Sequence, residues 1–282
     1  MTAPRPLVDG LTMPESPRWH DGRLWLSDMG AREVVAVDLD GRSEVVARVP
    51  TGLTGIAFLP DGRLVLDTTI DGALLRLEPD GSLAPYADLT GLADPPWSDL
   101  IVDGRGNAYV GNLGFDFLAG APPAPGFLAL VTPDGNARRV ADDLAFPNGV
   151  AVTPDNATLI VAESYAARLT AFTIGADGSL ADRRVWADLP GAYPDGICID
   201  AEGAVWFAEV PGRRCVRVRE GGEVLASIEL DRGCFACTLG GPDGRTLFLA
   251  AADWSGVSGM GDDARTGQVL TIEAPAAGAG WP

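Results

Sequence analysis
The sequence predicts an all-β chain, a six-bladed β-propeller of four-stranded blades whose last blade is closed by the N-terminal strand. Three observations carry that expectation. Asp-Gly turns between alternating apolar runs signal hairpins, and they occur at Asp21-Gly22, Asp40-Gly41, Asp61-Gly62, Asp80-Gly81, Asp134-Gly135, Asp177-Gly178 and Asp243-Gly244. A frame built on Glu15 recurs at Thr54, Ser98, Asn148, Asp195 and Ala236, in steps of 39, 44, 50, 47 and 41 residues. That is close to the ~40–50 residue period of four-stranded propeller blades. The sixth unit ends one strand short, while a strand-like run stands unassigned at the other end of the chain.

In chain order, the run Arg5-Pro6-Leu7-Val8-Asp9-Gly10-Leu11 supplies the missing outer strand of blade six and removes an open sheet edge. The first unit begins at Pro14-Glu15-Ser16, followed by a strand-type run from Pro17 to Trp19. The second shows the whole pattern, with strands expected at 54–59, 63–67, 73–78 and 83–89 and turns at Pro60-Asp61-Gly62 and Pro79-Asp80-Gly81. The third starts at Trp97-Ser98, turns at Gly104-Arg105-Gly106 and ends with an outer strand at 138–144. The fourth starts at Pro147-Asn148-Gly149 and ends at 184–189; the fifth starts at Pro194-Asp195-Gly196 and turns at Glu202-Gly203. The sixth runs through 268–273 into a Pro/Ala/Gly tail at 274–282. Residues 1–282 are thus expected to form one domain.

Composition narrows the function. Of 282 residues, 46% are apolar, enough for a large core without metal or disulfide staples. The net charge of −18 argues against nucleic acid and against an anionic membrane surface. No run approaches the ~20 apolar residues of a membrane span. The first 14 residues show no apolar signal region, so a cytoplasmic protein is the expectation. All 21 basic residues are Arg, which removes lysine-based Schiff-base and P-loop chemistry. The only histidine, His20, sits at the far end of its strand from Glu15, which argues against a Ser-His-Asp triad. Cys234 and Cys237 have C-x-x-C spacing without a second pair of ligand spacing. With Cys198 and Cys215 they read as reduced, buried strand cysteines.

The frame marks one point in every blade. In three blades that point holds a hard oxygen donor: Glu15, Asn148 and Asp195. Arranged around an axis, these side chains converge. Two carboxylates and an amide suit a divalent cation bound by oxygen, with Ca²⁺ favoured and Mg²⁺, Mn²⁺ or Zn²⁺ as alternatives. The bland alternative is that such residues cap strand ends and turns. Strand order places the loop between second and third strands, and the connectors between blades, on the same face as these three residues. Long segments fall there at 90–97, 113–126 and 252–266, as expected of a binding face. Asn112 ends the second strand of blade three and is a substrate-binding candidate, with loop capping as its other reading. Glu163 and Glu209 end the corresponding strands of blades four and five and are candidates for supporting roles.

The motifs Glu15-Ser16-Pro17-Arg18-Trp19, Trp97-Ser98-Asp99-Leu100, Gly111-Asn112-Leu113-Gly114, Phe146-Pro147-Asn148-Gly149, Tyr193-Pro194-Asp195-Gly196 and Cys237-Thr238-Leu239-Gly240-Gly241 resemble those of the senescence marker protein/regucalcin/gluconolactonase family. The resemblance spans essentially the whole chain. It implies a six-bladed propeller with one divalent metal on its axis, Glu15, Asn148 and Asp195 as ligands, Asp195 also as acid/base, and hydrolysis of sugar lactones. One departure stands out. Many members carry Asn at the place of Ser98, and some sugar-lactone hydrolases carry Arg at that of Pro96. Both positions here offer less to a sugar hydroxyl, while Trp97, Phe115 and Phe117 suggest a more apolar pocket. The reading is therefore a metal-dependent lactone hydrolase, with Ser98, Asn112, Trp97 and Phe115 contacting a small-molecule substrate that need not be a sugar. A binding propeller without catalysis, or a hydrolase of another ester class, are the alternatives.

Overall fold
The computed structural model describes residues 3–94, 96–256 and 264–280. Six four-stranded antiparallel sheets form the ring of a six-bladed β-propeller, as the repeat predicts. Five blades use four consecutive strands each. The sixth combines Gly233–Gly240, Thr246–Ala252 and Gly267–Glu273 with the N-terminal strand Arg5–Leu11. That strand pairs antiparallel with Gly267–Glu273, from Arg5 opposite Thr271 to Leu11 opposite Gly267.

The innermost strands are Pro14–His20, Ile56–Phe58, Trp97–Val102, Pro147–Val152, Pro194–Ile199 and Gly233–Gly240. In blade two, only 56–58 of the expected 54–59 pairs as strand; Thr54 and Gly55 instead donate their N–H groups to Asp67. Burial follows radial position. The second strand of blade three, Ala108–Asn112, is buried throughout, whereas outer strands such as Leu180–Asp188 show a mainly exposed pattern. Apolar clusters lie between neighbouring sheets, so adhesion between blades holds the ring together. One such layer packs Leu74, Trp97, Val110 and Phe127 between blades two and three. All four cysteines are free; Cys215, Cys234 and Cys237 are buried between blades five and six. His20 stacks on Phe58 at 3.7 Å.

The inner strands approach closely around the axis. A Cβ on Gly149 would lie 2.5 Å from the Asp195 carbonyl oxygen, and one on Gly196 would lie 2.5 Å from Ala236 Cβ. The glycine after Asn148 and after Asp195 is therefore where the next blade's backbone fits. At the opposite end of the channel, the segment after the last strand crosses blades five and six, through the Asp200–Gly278 bridge and Gly278 N–H to Gly244 C=O. Residues 1–2, Pro95 in the 90–97 connector, 257–263 in the expected long loop and 281–282 in the tail lie outside the described residues. Among the described residues, no helix is long and apolar enough to cross a membrane.

Candidate active site
One cavity of about 930 Å³ opens on the face where the six frames begin. Glu15, Asn148 and Asp195, from blades one, four and five, all line it, together with Thr54, Trp97 and Ser98. Local register aims these residues. Strand pairing breaks between Glu15 and Arg18, between Trp97 and Leu100, between Pro147 and Val150, and between Pro194 and Ile197. Each is an irregularity at the start of an inner strand. Such bulges re-aim side chains that regular alternation would send elsewhere. Ser16 takes φ 47° at the first of them, and its N–H donates to Glu15 Oε2.

The three side chains form a strongly interacting group. The Asn148 amide donates, at 3.4 Å, to Ser164 Oγ, and its proximity tempers the upward shift of the Asp195 carboxyl. Ser164 Oγ in turn donates to the Pro194 carbonyl oxygen. Burial, then the charge of Asp99, push Glu15 up to about 8. Burial, then the charges of Glu15 and Asp99, hold Asp195 well above the usual carboxylate range. Asp99 points away from Ser98, accepting from Ser16 Oγ at 2.8 Å and from Arg18. The nearest guanidinium is thus already committed: Arg18 also donates to Pro17 and Leu100 carbonyls. Two interacting carboxylates and an amide oxygen, with the neighbouring arginine spent elsewhere, are a donor set suited to a hard divalent cation. Among the described residues, no group of three or more His, Cys, Asp or Glu side chains could hold a metal ion; the third donor here is an amide.

The other expected substrate residues divide. Ser98 is buried, and its hydroxyl donates to the Pro147 carbonyl at 2.9 Å, beside Asn148. Trp97 touches the cavity, but its ring is packed between blades, edge-on to Phe127. Asn112 is 1% exposed and does not line the cavity; it donates to Asp94 O and accepts from Gly114 N–H, which is the capping role. Phe115 does not line the cavity either. It backs Phe146 and Tyr165, and Phe117 and Leu118 of the same loop reach the cavity instead.

A repeated support was only partly visible in sequence. A carboxylate at or next to the end of a blade's second strand tethers the segment leading into that blade's inner strand. Asp28 accepts from Thr12 and Met13 N–H, Asp67 from Thr54 and Gly55, Glu163 from Ala145, and Glu209 from Tyr193. Glu163 and Glu209 are further held by Arg168 and Arg214. Burial alone would raise the Glu163 carboxyl, yet Arg168, Thr170 and the Ala145 N–H hold it below the ordinary range. Asp28 shares the strand-end slot of Glu163 and Glu209 and could have been found by aligning strand ends as well as strand starts; Asp67 lies one residue before that slot, which Thr68 fills in blade two.

The profile of the SMP-30/Gluconolactonase/LRE-like region matches residues 13–253. The pentonolactonase XacC of Haloferax volcanii is 24% identical over 273 residues, covering 93% of this chain and 90% of that protein. The solved structure of XC5397 from Xanthomonas campestris, a gluconolactonase, superposes with a TM-score of 0.78 at 27% identity, covering 96% of this chain and 88% of the other. A regucalcin of Agrobacterium tumefaciens shares the fold with a TM-score of 0.82 at 22% identity, covering 99% and 96%.

Proposed function
The chain belongs to the SMP-30/Gluconolactonase/LRE-like family, and on that premise we propose that it is a metal-dependent hydrolase that opens a lactone. The observation that carries this reading is the meeting of Glu15, Asn148 and Asp195, from three separate blades, at one cavity. In this reading the carboxylates of Glu15 and Asp195 and the amide oxygen of Asn148 hold the cation, with Ca²⁺ favoured by the all-oxygen donor set. When bound, such a cation polarises the lactone carbonyl and stabilises negative charge on its oxygen.

The chain's own side chains do the remainder. The Asp195 carboxylate takes a proton from the attacking water and returns it to the ring oxygen as the C–O bond opens. The Asn148 amide beside Asp195 favours the charged form of that carboxylate. Ser98 and Ser164 hold the Pro147 and Pro194 carbonyls, and so the backbone immediately before Asn148 and Asp195. The substrate is a small molecule admitted from the open face.

The test is acid release from a panel of lactones by chelator-stripped protein, before and after Ca²⁺, Mg²⁺, Mn²⁺ or Zn²⁺ is restored. Turnover that returns with metal and is lost in folded Asp195→Ala is the expected result. Turnover that survives both chelation and that substitution would remove the metal and Asp195 from the reaction.

A further inference from the structure
We propose that the substrate carries a bulky apolar substituent, an aryl or branched alkyl group, seated against Phe146 and Tyr165. This rests on the lactone-hydrolase reading and names the substrate class within it.

The cavity wall makes the case. Ile70, Leu118, Tyr165 and Tyr193 are each 47–57% exposed, and all four line this one cavity. Exposed apolar residues scattered singly need no explanation, but a group around one mouth marks a surface that something covers. Behind them the Phe146 ring stacks on Tyr165 at 4.5 Å and meets Phe117 edge-on at 5.2 Å. The result is a continuous aromatic wall beside Asn148. At about 930 Å³, the cavity is near the upper end of the range for drug-sized ligands and larger than a bare lactone ring needs.

Backbone geometry points the same way. Phe146 has φ 60°, a conformation a bulky side chain rarely adopts. The segment is held there by Ser164 N–H donating to the Phe146 carbonyl. Strain of this kind persists where the surroundings impose it, and it clusters at ligand-binding positions. The residue so held lines the cavity.

The hydroxyls of Ser98, Ser164, Thr54 and Thr69 in this cavity are already engaged, while Arg32, Thr51 and Asp253 line it away from the Phe146 and Tyr165 rings. The Ser98 hydroxyl is given to Pro147 O and that of Ser164 to Pro194 O, while Thr54 and Thr69 bond each other at 2.6 Å. Sugar hydroxyls laid on the rings would lose water without gaining partners.

The experiment compares kcat/KM for γ-phenyl-γ-butyrolactone, γ-butyrolactone and a sugar γ-lactone, in calcium-containing buffer. The phenyl lactone is expected to exceed each of the others by about tenfold or more, the usual scale for burying a ring. Phe146→Gly removes the ring and relieves the positive φ together, so the fold is kept, as a melting curve will check. In that variant the phenyl advantage should fall to within about threefold, with the same loss in Tyr165→Ala and none in Tyr165→Phe. A sugar lactone preferred by wild type, or a ratio unmoved in Phe146→Gly, overturns the inference while leaving the lactonase reading intact. If no lactone is opened, the reaction assignment falls, and calorimetric binding of the stable lactam analogues decides the rest. Preference for 5-phenyl-2-pyrrolidinone over 2-pyrrolidinone, lost in Phe146→Gly, supports the apolar seat; equal binding refutes it.

Discussion

Gly149→Ala tests how the ring geometry sets the site. The added methyl would lie 2.5 Å from Asp195 O, 2.6 Å from Ile197 N and 2.7 Å from Gly196 Cα. All three are backbone atoms of the next blade, so no rotamer change can relieve the overlap. Ordinary contact needs about 3.4 Å or more, so the inner strand of blade five must retreat by several tenths of an ångström to about 1 Å. Overpacking of this kind costs about 1–3 kcal/mol. For a protein of this size that corresponds to a loss of a few degrees to about 10 °C in melting temperature. The displaced segment carries Asp195, so its placement beside Asn148 and its spacing to Glu15 are disturbed together. We expect calcium affinity, measured calorimetrically on the folded variant, to fall by about tenfold or more. Gly240→Ala is the control. Its methyl would meet the Trp19 ring at the far end of the channel, so it should lower stability without touching calcium affinity. If Gly149→Ala melts with wild type and binds calcium equally well, the inter-blade contact is not what positions Asp195.

Three further outcomes are expected. Glu15→Gln and Asn148→Ala should each lower the metal content of purified protein without unfolding it; unchanged stoichiometry in both, by elemental analysis, would dismiss the ligand set. Deleting residues 1–11 strips the outer strand of blade six and the burial of Leu11, and should cost several kcal/mol, a large share of the ~5–15 kcal/mol that holds a domain folded; an unaltered melting temperature would show that the strand does not close the ring. The third concerns pH. A carboxyl raised in the folded state, as Glu15 is to about 8, binds more protons folded than unfolded, so the metal-free protein loses stability as pH rises from about 4.5 through about 8. Metal binding needs the deprotonated form, so the rise in melting temperature on adding calcium should grow across that same window; a calcium effect independent of pH there would count against Glu15 as a ligand.

Much of the architecture was legible because its signals are local. An Asp-Gly turn and two alternating runs form a hairpin whatever lies around them, so the blade period survives in sequence. The slot holding Glu15, Asn148 and Asp195 was legible for the same reason, since it keeps its offset from the first turn. The substrate wall was not. Phe115 and Phe117 lie in an irregular loop, where no periodicity says which ring faces inward, and packing against Phe146 and Tyr165 gave the cavity to Phe117. Asn112 carried the right chemistry for substrate, but the Asp94 carbonyl of the connector before the blade and the Gly114 N–H of its own loop take both ends of its amide.

The sequence by itself determined the repeat, the strand order, the absence of lysine and the pairing of two carboxylates with an amide at one slot. These are matters of composition and of contacts within a few residues. Only the tertiary structure decided where the slots point. Bulges at Glu15, Ser98, Asn148 and Asp195 are register choices between strands. The Arg18–Asp99 pair joins residues 81 apart, and the placement of Phe146 depends on Ser164 and Tyr165 in the turn after the second strand of blade four. Each brings together residues well separated in the chain, across a hairpin within one blade or, for Arg18 and Asp99, between blades, so no short stretch of sequence encodes its outcome.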